Sequence, residues 1–196
     1  MYVLILAAGN SSRFNAIKQL AHFNGSTLLQ RCIDLGERVG GDKLTVVLGG
    51  HFEQIKPHLN PNTHYVYNTN WQAGLGSSIK IGLQQLPKNT DSVLLLLADQ
   101  PLITVRQIYQ LIEKFDGFNP ACASYANTYG VPAIFPASFF DQLKTLDDHS
   151  GAKKILKSNE TSLTFVDIKE AQFDIDYQQD LKNIRTQKGN TLCNSI

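Results

Sequence analysis

Cysteine is scarce in this sequence, and the few cysteines are not spaced to act together. The three of them, Cys32, Cys122 and Cys193, are far apart, and no C-x-x-C or Cys–His spacing joins them. This pattern excludes a disulfide framework and a structural zinc site. Cys32 and Cys122 are therefore expected to be small, buried core residues. The cysteine usage favours a reducing cytoplasm as the location of the protein.

An excess of charge of one sign is also missing. The 196 residues include 18 Lys and Arg against 17 Asp and Glu, a formal net charge of +1. This balance argues against a broad nucleic-acid or membrane surface, so neither is expected as a partner and any anion site must be local. The N-terminal apolar run, Tyr2 to Leu6, is too short for a signal peptide or a membrane span.

Short apolar segments alternate with amphipathic ones along the chain. Strands are predicted at 2–6, 44–48, 64–68, 92–98, 121–125, 131–135 and 163–168. With helices between most of them, this order predicts an α/β fold, a three-layer Rossmann-like sandwich with a mostly parallel sheet. Pro132 should confine its strand to an edge or a strand end. Residues 185–196 are polar and predicted to be a flexible tail, which leaves one domain over 1–184.

Helix starts are marked by capping-box spacings. Thr27 has Gln30 three residues on, and Thr104 has Gln107 at the same distance. A Thr hydroxyl can accept from the third helical amide while the Gln side chain bonds back to the capping residue. Helices are therefore predicted to begin after Thr27 and after Thr104.

The stretch from Tyr2 to Leu20 has the outline of a phosphate cradle. A buried strand runs into six small or polar residues, Ala7 to Ser12, and two cations follow at Arg13 and Lys18. Small residues leave backbone N–H groups uncrowded, and such groups with nearby cations bind phosphates. The alternative is a tight turn with two solvated cations.

Two further features fall where predicted strands end. A second small-residue loop spans Asn70 to Ser78, and Asp99 follows the most apolar strand. Open α/β sheets bind ligands outside the carboxyl ends of their strands. A lone carboxylate is costly there unless a cation pairs with it, so Mg²⁺ held by Asp99 and substrate phosphates is expected. The alternative is that Asp99 caps the turn before Pro101.

Two familiar nucleotide motifs are absent or incomplete. No G-x-x-x-x-G-K-[ST] occurs, which excludes a P-loop NTPase. Gly74-Leu75-Gly76 opens a G-x-G-x-x-G, but Ile79 occupies the third glycine position. A hydride-transferring dinucleotide enzyme is therefore disfavoured.

The first loop, LAAGNSSRFNAIKQL, resembles the signature of MobA-like nucleotidyltransferases, L-A-[AG]-G-x-S-x-R-x-G-x-x-K. Further segments resemble the molybdenum cofactor cytidylyltransferase branch and follow its order up to about Leu181: VVLGG, N-x-x-W at Asn68 to Trp71, GLGSSIKIGL, LLADQPLIT, YGVPAIFP and DIDYQQDL. The resemblance implies a nucleotide-diphospho-sugar transferase type of fold, with a nucleotide-binding N-terminal half and an acceptor-binding C-terminal half. It also implies transfer of CMP from CTP to molybdopterin, with a molybdoenzyme or its chaperone as a protein partner. The LAAG form, with Ala8, goes with CTP rather than GTP.

The sequence departs from the family pattern at two positions. Asn15 replaces the glycine after Arg-Phe; Asn tolerates the left-handed conformation best among the other residues, so the loop can survive. His149 stands in the Asp148–Lys153 segment where the family has an acidic residue, and this puts recognition of the acceptor in doubt. We expect His149 to be an exposed loop histidine.

An acceptor phosphate is already ionised, so nucleotidyl transfer needs positioning and charge stabilisation rather than a general base. Arg13, Lys18 and Asp99 are the predicted catalytic residues, and Asp99 with Asp174 the predicted Mg²⁺ ligands. Asp174 is preferred to Asp176 because Asp176 can cap a helix from Tyr177. The predicted nucleotide-binding set is Leu6, Ala7, Ala8, Gly9, Asn10, Ser11, Arg13, Lys18, Asn68, Gly74, Ser77 and Ser78. Ser77 and Ser78 could alternatively be plain helix caps.

Other functions stay open at this point. The acceptor could be a sugar phosphate or a polyol phosphate, since the donor half is shared across such enzymes, or the donor could be GTP. A nucleotide-binding maturation factor for molybdoenzymes, without catalysis, is a non-enzymatic alternative. It would not need the carboxylate at Asp99.

Overall fold

The computed structural model describes residues 1–184. The predicted tail at 185–196 and Cys193 lie outside the described residues. Nine strands are present: β1 Tyr2–Ala7, β2 His22–Phe23, β3 Ser26–Thr27, β4 Leu44–Leu48, β5 Tyr65–Tyr67, β6 Ser92–Leu97, β7 Ala121–Tyr125, β8 Thr128–Pro136 and β9 Thr164–Asp167. The α-helices are α1 Leu28–Gly40, α2 Phe52–Ile55, α3 Leu75–Leu83, α4 Val105–Lys114, α5 Phe140–Lys144 and α6 Lys153–Ser158, and residues 178–184 are also helical.

Seven strands form one sheet in the order β5-β4-β1-β6-β8-β7-β9. Every neighbouring pair is parallel except the two that involve β8. This confirms the predicted α/β sandwich with a mostly parallel sheet. Because β1, β4 and β6 run in the same direction, the loops that follow their last residues, Ala7, Leu48 and Leu97, emerge at one edge.

Both faces of the central strand β1 are buried, as its apolar run predicts. Val3 and Ile5 point to one face and pack with α1 and α4, while Leu4 and Leu6 point to the other and pack with α3, α5 and α6. Cys32 and Cys122 are buried free thiols, as expected. Burial raises the pKa of the Cys122 thiol to about 12, which makes it an unreactive core residue.

The expectation that Pro132 confines its strand to an edge is wrong, because β8 lies inside the sheet between β6 and β7. Pro132 follows a cis peptide bond and sits where the register of the β7–β8 pair shifts. Ala133 and Gly130 on either side of the shift are paired. The missing N–H of proline thus falls at an irregularity, where no ladder bond is lost.

The predicted cap at Thr104 is a full capping box with Gln107. At Thr27 only half of the box forms: the Thr27 hydroxyl accepts from the Gln30 amide, but the Gln30 side chain donates to Asp34 instead. None of the helices found in residues 1–184 has the length and apolar character needed to span a bilayer.

Candidate active site

The first loop after β1, residues 8–17, has two residues in the left-handed conformation. Ser11 and Asn15 have φ of 56° and 57°. Asn15 thus adopts the backbone conformation that its glycine counterpart would supply, as expected from its tolerance of this region. The loop therefore keeps its course despite the substitution.

The side chain of Gln19 holds this loop in place by hydrogen bonds. The sequence analysis did not identify this residue. The side chain is buried, and its amide donates to the Ala7 carbonyl at 3.0 Å and the Gly9 carbonyl at 2.7 Å. Its Oε1 accepts from Ser11 Oγ at 3.0 Å, and Ser11 Oγ accepts in turn from the Lys18 amide at 3.1 Å. These bonds direct the carbonyls of Ala7 and Gly9 toward the buried Gln19 side chain and link the loop to the backbone of Lys18.

A second contact comes from the loop after β4. The Gly50 amide donates to the Ala8 carbonyl at 2.9 Å, and a Cβ on Gly50 would lie 2.8 Å from the Cα of Asn10. His51 Nε2 donates to the Asn10 carbonyl at 2.8 Å. Gly50 therefore permits the close approach of the two loops, and His51 has a positioning contact that its sequence context did not signal.

Four charged side chains meet at the edge of the sheet. Lys18 Nζ lies 2.8 Å from Asp99 Oδ2 and 3.3 Å from Asp176 Oδ1, and Arg13 lies 3.0 Å from Asp176 Oδ2. Within the described residues, Asp99 Oδ1 is buried and has no hydrogen-bond partner. We call Arg13, Lys18, Asp99 and Asp176 the charged cluster. The predicted catalytic residues are thus brought together, although Lys18 and Asp99 are 81 positions apart.

The reason for preferring Asp174 to Asp176 is not supported. The amides of Asp176 and Tyr177 both donate to the Asp180 carboxylate, so Asp180 satisfies this helix start. The carboxylate of Asp176 instead faces Lys18 and Arg13. Asp174 remains near the cluster: loss of hydration, and next the charge of Asp99, raise the pKa of its carboxyl to about 6.

The donor set fits a hard divalent cation such as Mg²⁺. Asp99 presents a buried, unpartnered carboxylate oxygen. Loss of hydration is the main cause of the raised pKa of Asp174, and repulsion by the Asp99 carboxylate is the second, so the two carboxylates are near each other. In the part of the chain that the structure describes, no group of three or more His, Cys, Asp or Glu side chains could hold a metal ion. One or two carboxylates are what Mg²⁺ takes from a protein when substrate phosphates complete its shell.

Asn68 and Ser77, which were predicted to line the nucleotide pocket, instead form hydrogen bonds within the second loop. Asn68 is buried, and its amide donates to the hydroxyls of Ser77 and Ser78 at 2.9 and 3.0 Å. Ser77 Oγ donates to the Gly74 carbonyl at 2.7 Å. The alternative reading of the two serines as helix caps is wrong, because α3 begins at Leu75 and Gly74 is its capping residue.

Three adjoining cavities surround these groups. The largest, about 270 Å³, is lined by Leu6, Ala8, Gly9, Trp71, Gly74, Leu75, Ser78, Leu97 and Asp99. A cavity of about 150 Å³ is lined by Gly9–Arg13, Lys18 and Asp176, and one of about 60 Å³ by Leu6, Ala7, Gly9, Lys18, Gln19, Ala98 and Asp99. All three have Gly9 in their lining, so they adjoin one another around the first loop.

The segment 147–151 packs on the second loop. The Gly76 amide donates to the Asp148 carbonyl at 2.9 Å, and a Cβ on Gly76 would overlap the Asp147 carbonyl oxygen. Lys80 Nζ binds Asp148 Oδ1 at 2.7 Å and holds the segment on α3. His149 is exposed, as expected. The segment that departs from the family pattern thus packs on Gly74 and Leu75, two residues that line the largest of the three cavities.

Replacing Asp174 with Asn should stabilise the protein near neutral pH. The pKa of this carboxyl in the folded protein, about 6, exceeds its value in an unfolded chain, about 3.9, so ionisation destabilises the fold as pH rises between these values. We expect no difference in Tm near pH 4. Above about pH 6 the variant should melt about 1–3 °C higher, a small gain because the Asp174 carboxyl loses only part of its hydration and the solvent that still reaches it screens its charge. Thermal unfolding in EDTA across this range measures it; equal curves at every pH would contradict it.

Comparison with known proteins adds a family and a set of structures. A family model described as a MobA-like NTP transferase domain matches residues 3–163. The bifunctional protein GlmU of Legionella pneumophila (strain Lens) is 30% identical over 199 residues, covering 98% of this chain. The chain spans only 38% of the length of that relative.

Solved structures share the fold. The homologue of Mycobacterium tuberculosis Rv0371c from Mycobacterium sp. strain JC1 has a TM-score of 0.81 and 27% identity, covering 95% of both chains. Rv0371c of M. tuberculosis H37Rv, in complex with manganese, has a TM-score of 0.76 and 22% identity, covering 93% of this chain and 96% of that one. Molybdopterin-guanine dinucleotide biosynthesis protein A of Archaeoglobus fulgidus has a TM-score of 0.72 and 16% identity, covering 97% and 100%.

Proposed function

We propose that this chain, which belongs to the family of MobA-like NTP transferase domains, transfers CMP from CTP to the phosphate of a molybdopterin-type acceptor. Membership of the family makes the chain a nucleotidyltransferase with a nucleotide substrate. The observation that carries the proposal is the charged cluster, which sets Lys18 and Arg13 beside a loop of small residues and next to Asp99.

The choice of CTP and of a molybdopterin-type acceptor has its own support. The form Leu6-Ala7-Ala8-Gly9 resembles the cytidylyltransferase branch. The fold is shared with a molybdopterin-guanine dinucleotide biosynthesis protein. In this proposal residues 1–184 form one domain whose N-terminal half binds CTP and whose C-terminal half binds the acceptor, with a molybdoenzyme or its chaperone receiving the product.

The reaction exchanges one phosphoanhydride bond for another. An oxygen of the acceptor phosphate forms a bond to the α-phosphorus of CTP, and the bond from that phosphorus to the β-phosphate bridging oxygen breaks. Pyrophosphate leaves with the electron pair of that bond. Lys18 and Arg13 would neutralise the charge that develops on the transferred and leaving phosphates, and the Ala7–Ser11 loop would orient the chain of phosphates.

Asp99 and Asp174 would hold Mg²⁺ in this proposal. A divalent cation bound there would neutralise phosphate charge and bring the triphosphate into alignment. The manganese in the complex of Rv0371c supports a divalent metal as the cofactor, and the unpartnered Asp99 Oδ1 supports its placement at this edge. Asp176 would act on the cations instead: by accepting from Lys18 and Arg13 it would hold their side chains over the cavity of about 150 Å³.

The test is release of pyrophosphate from a nucleoside triphosphate with Mg²⁺ and an acceptor. We expect release with CTP and molybdopterin, and at least tenfold less with GTP, ATP or UTP. Omitting the acceptor controls for hydrolysis, and a sugar 1-phosphate and a polyol phosphate test the other acceptor classes. Faster release with GTP would overturn the assignment of the base, and faster release with another acceptor would overturn molybdopterin. Binding of CTP without release in any mixture would favour a non-catalytic maturation factor.

A further inference from the structure

The largest of the three cavities has an apolar, aromatic wall that the charged cluster does not explain. Leu6, Ala8 and Leu97 form its apolar sides, and Trp71, the only tryptophan of the chain, lines it as well. Asp99 lines the same cavity. An occupant is therefore met by apolar surface, by an aromatic ring and by one carboxylate of the charged cluster.

The position of Trp71 is set by its neighbours on both sides. A Cβ on Gly49 would lie 2.5 Å from Trp71 Cβ and 2.8 Å from Ala8 Cβ, so the lack of a side chain at Gly49 lets Trp71 come close to Ala8. The turn that carries Trp71 is held at its first residue. The Asn70 amide donates to Asn68 Oδ1 at 3.0 Å, and the single hydrogen of the Ser77 hydroxyl is shared between the carbonyls of Gly74, at 2.7 Å, and Asn70, at 3.0 Å.

The shape and chemistry of this cavity suit a planar heteroaromatic ring. An indole binds such a ring by offset stacking, and the apolar residues that line the cavity reduce the contact of the ring with water. The volume of about 270 Å³ is just below the usual range of ligand pockets, about 300–1,000 Å³. It therefore suits a nucleoside with one small ring better than a larger bicyclic group.

The Trp71 cavity and the cavity that contains Lys18 are lined by the same loop, and this indicates which substrate carries the ring. Ala8 and Gly9 line the Trp71 cavity, and the next residues of the same loop, Asn10 to Arg13, line the cavity that contains Lys18. A nucleotide has a ring at one end and phosphates at the other, in the same order as these residues. The ring of the nucleotide, rather than that of the acceptor, matches this arrangement.

We propose that Trp71 is the side wall of the nucleobase subsite and limits the base it admits to a pyrimidine. This inference rests on the proposed function, because it assumes a nucleoside triphosphate as one substrate. Asn68, Ser77 and Gly49 have the role of holding Trp71 in place rather than touching the base.

Because Trp71 is the only tryptophan, its fluorescence reports on this cavity alone. Titration of the protein with CTP and Mg²⁺ should quench the emission in a saturable way, with a midpoint equal to the Kd from equilibrium dialysis. GTP should bind at least tenfold more weakly. Binding of CTP by dialysis with no change in emission would overturn the proposal, and so would quenching by a free pterin in place of CTP.

Substitutions of Trp71 test its contribution to nucleotide binding separately from that of the other residues of the site. Trp71→Ala should weaken CTP binding at least tenfold and bring the affinities for CTP and GTP within about threefold of each other, whereas Trp71→Phe should stay within about threefold of the wild type for CTP. Tyr67→Ala is the matched control, because Tyr67 is an exposed ring stacked on Phe52 outside the cavity. It should leave both affinities unchanged.

The outcomes distinguish this inference from the proposed function. If CTP quenches Trp71 and Trp71→Ala loses selectivity while molybdopterin is not a substrate, the role of Trp71 stands and only the acceptor is wrong. If cytidylyl transfer occurs and Trp71→Ala keeps the wild-type affinity and selectivity, the inference is overturned and the proposed function stands. If no nucleotide binds, both are overturned.

Discussion

Replacing Asp99 with Asn is expected to lower nucleotidyl transfer by about 10²–10³-fold or more while leaving the fold intact. Asn keeps the size of the side chain but removes the charge that pairs with Lys18 and the carboxylate oxygen that would bind the metal. Lys18 retains its contact with Asp176, so the cation is not left buried and unpaired. Pyrophosphate release at saturating CTP and Mg²⁺ measures the loss, and circular dichroism with thermal unfolding measures the fold.

The matched control for this prediction is Asp141→Asn. Asp141 is a highly exposed surface residue that pairs with Lys144, three positions along α5. The same change of charge there should leave activity within about twofold, because exposed ion pairs contribute little. If Asp99→Asn retained more than a tenth of wild-type turnover, Asp99 would not be a metal ligand.

Replacing Gln19 with Ala should have the largest effect on stability. The side chain is 4% exposed and donates to the carbonyls of Ala7 and Gly9 while accepting from Ser11. The bond to the Ala7 carbonyl is buried, and a buried group left without a partner costs about 1–3 kcal/mol, so we expect a loss of about 2 kcal/mol and a Tm lower by about 4–8 °C. Thermal unfolding of the metal-free protein measures it.

The same substitution should also impair transfer. With its carbonyls released, the loop no longer holds its phosphate-facing groups in one geometry, and a displacement of about 1 Å can cost about 10²-fold in rate. We expect this loss at a temperature where the variant is fully folded. Gln85→Ala, on the exposed surface after α3, is the control and should change neither Tm nor rate. Wild-type stability together with wild-type rate in Gln19→Ala would contradict the role given to Gln19.

Local patterns were sufficient for much of this protein. The buried apolar runs predicted the parallel core strands, and the T-x-x-Q spacing at Thr104 predicted a complete capping box. These features depend on neighbours within a few positions, or on whether a strand has one or two buried faces. The left-handed Asn15 is of the same kind, because one residue's own backbone preference decides it.

Features that depend on residues far apart in the sequence could not be predicted from local patterns. Pro132 was expected at an edge, since the rule for proline in a strand cannot see that a shift of register inside the sheet spares the missing N–H. Gln19 is one polar residue among several after β1, and its role exists only because β1 and the loop bring two carbonyls to its amide.

The sequence by itself determined that this chain is an α/β protein with a loop of small residues and two cations after its first strand and a carboxylate after its most apolar one. Those elements follow from residue type and order. Only the tertiary structure decided that Asp176 rather than Asp174 faces Lys18 and Arg13, and that Trp71 lines a cavity beside Ala8. The reason is physical: both outcomes depend on angstrom-scale distances between segments that the fold brings together and that no local pattern encodes.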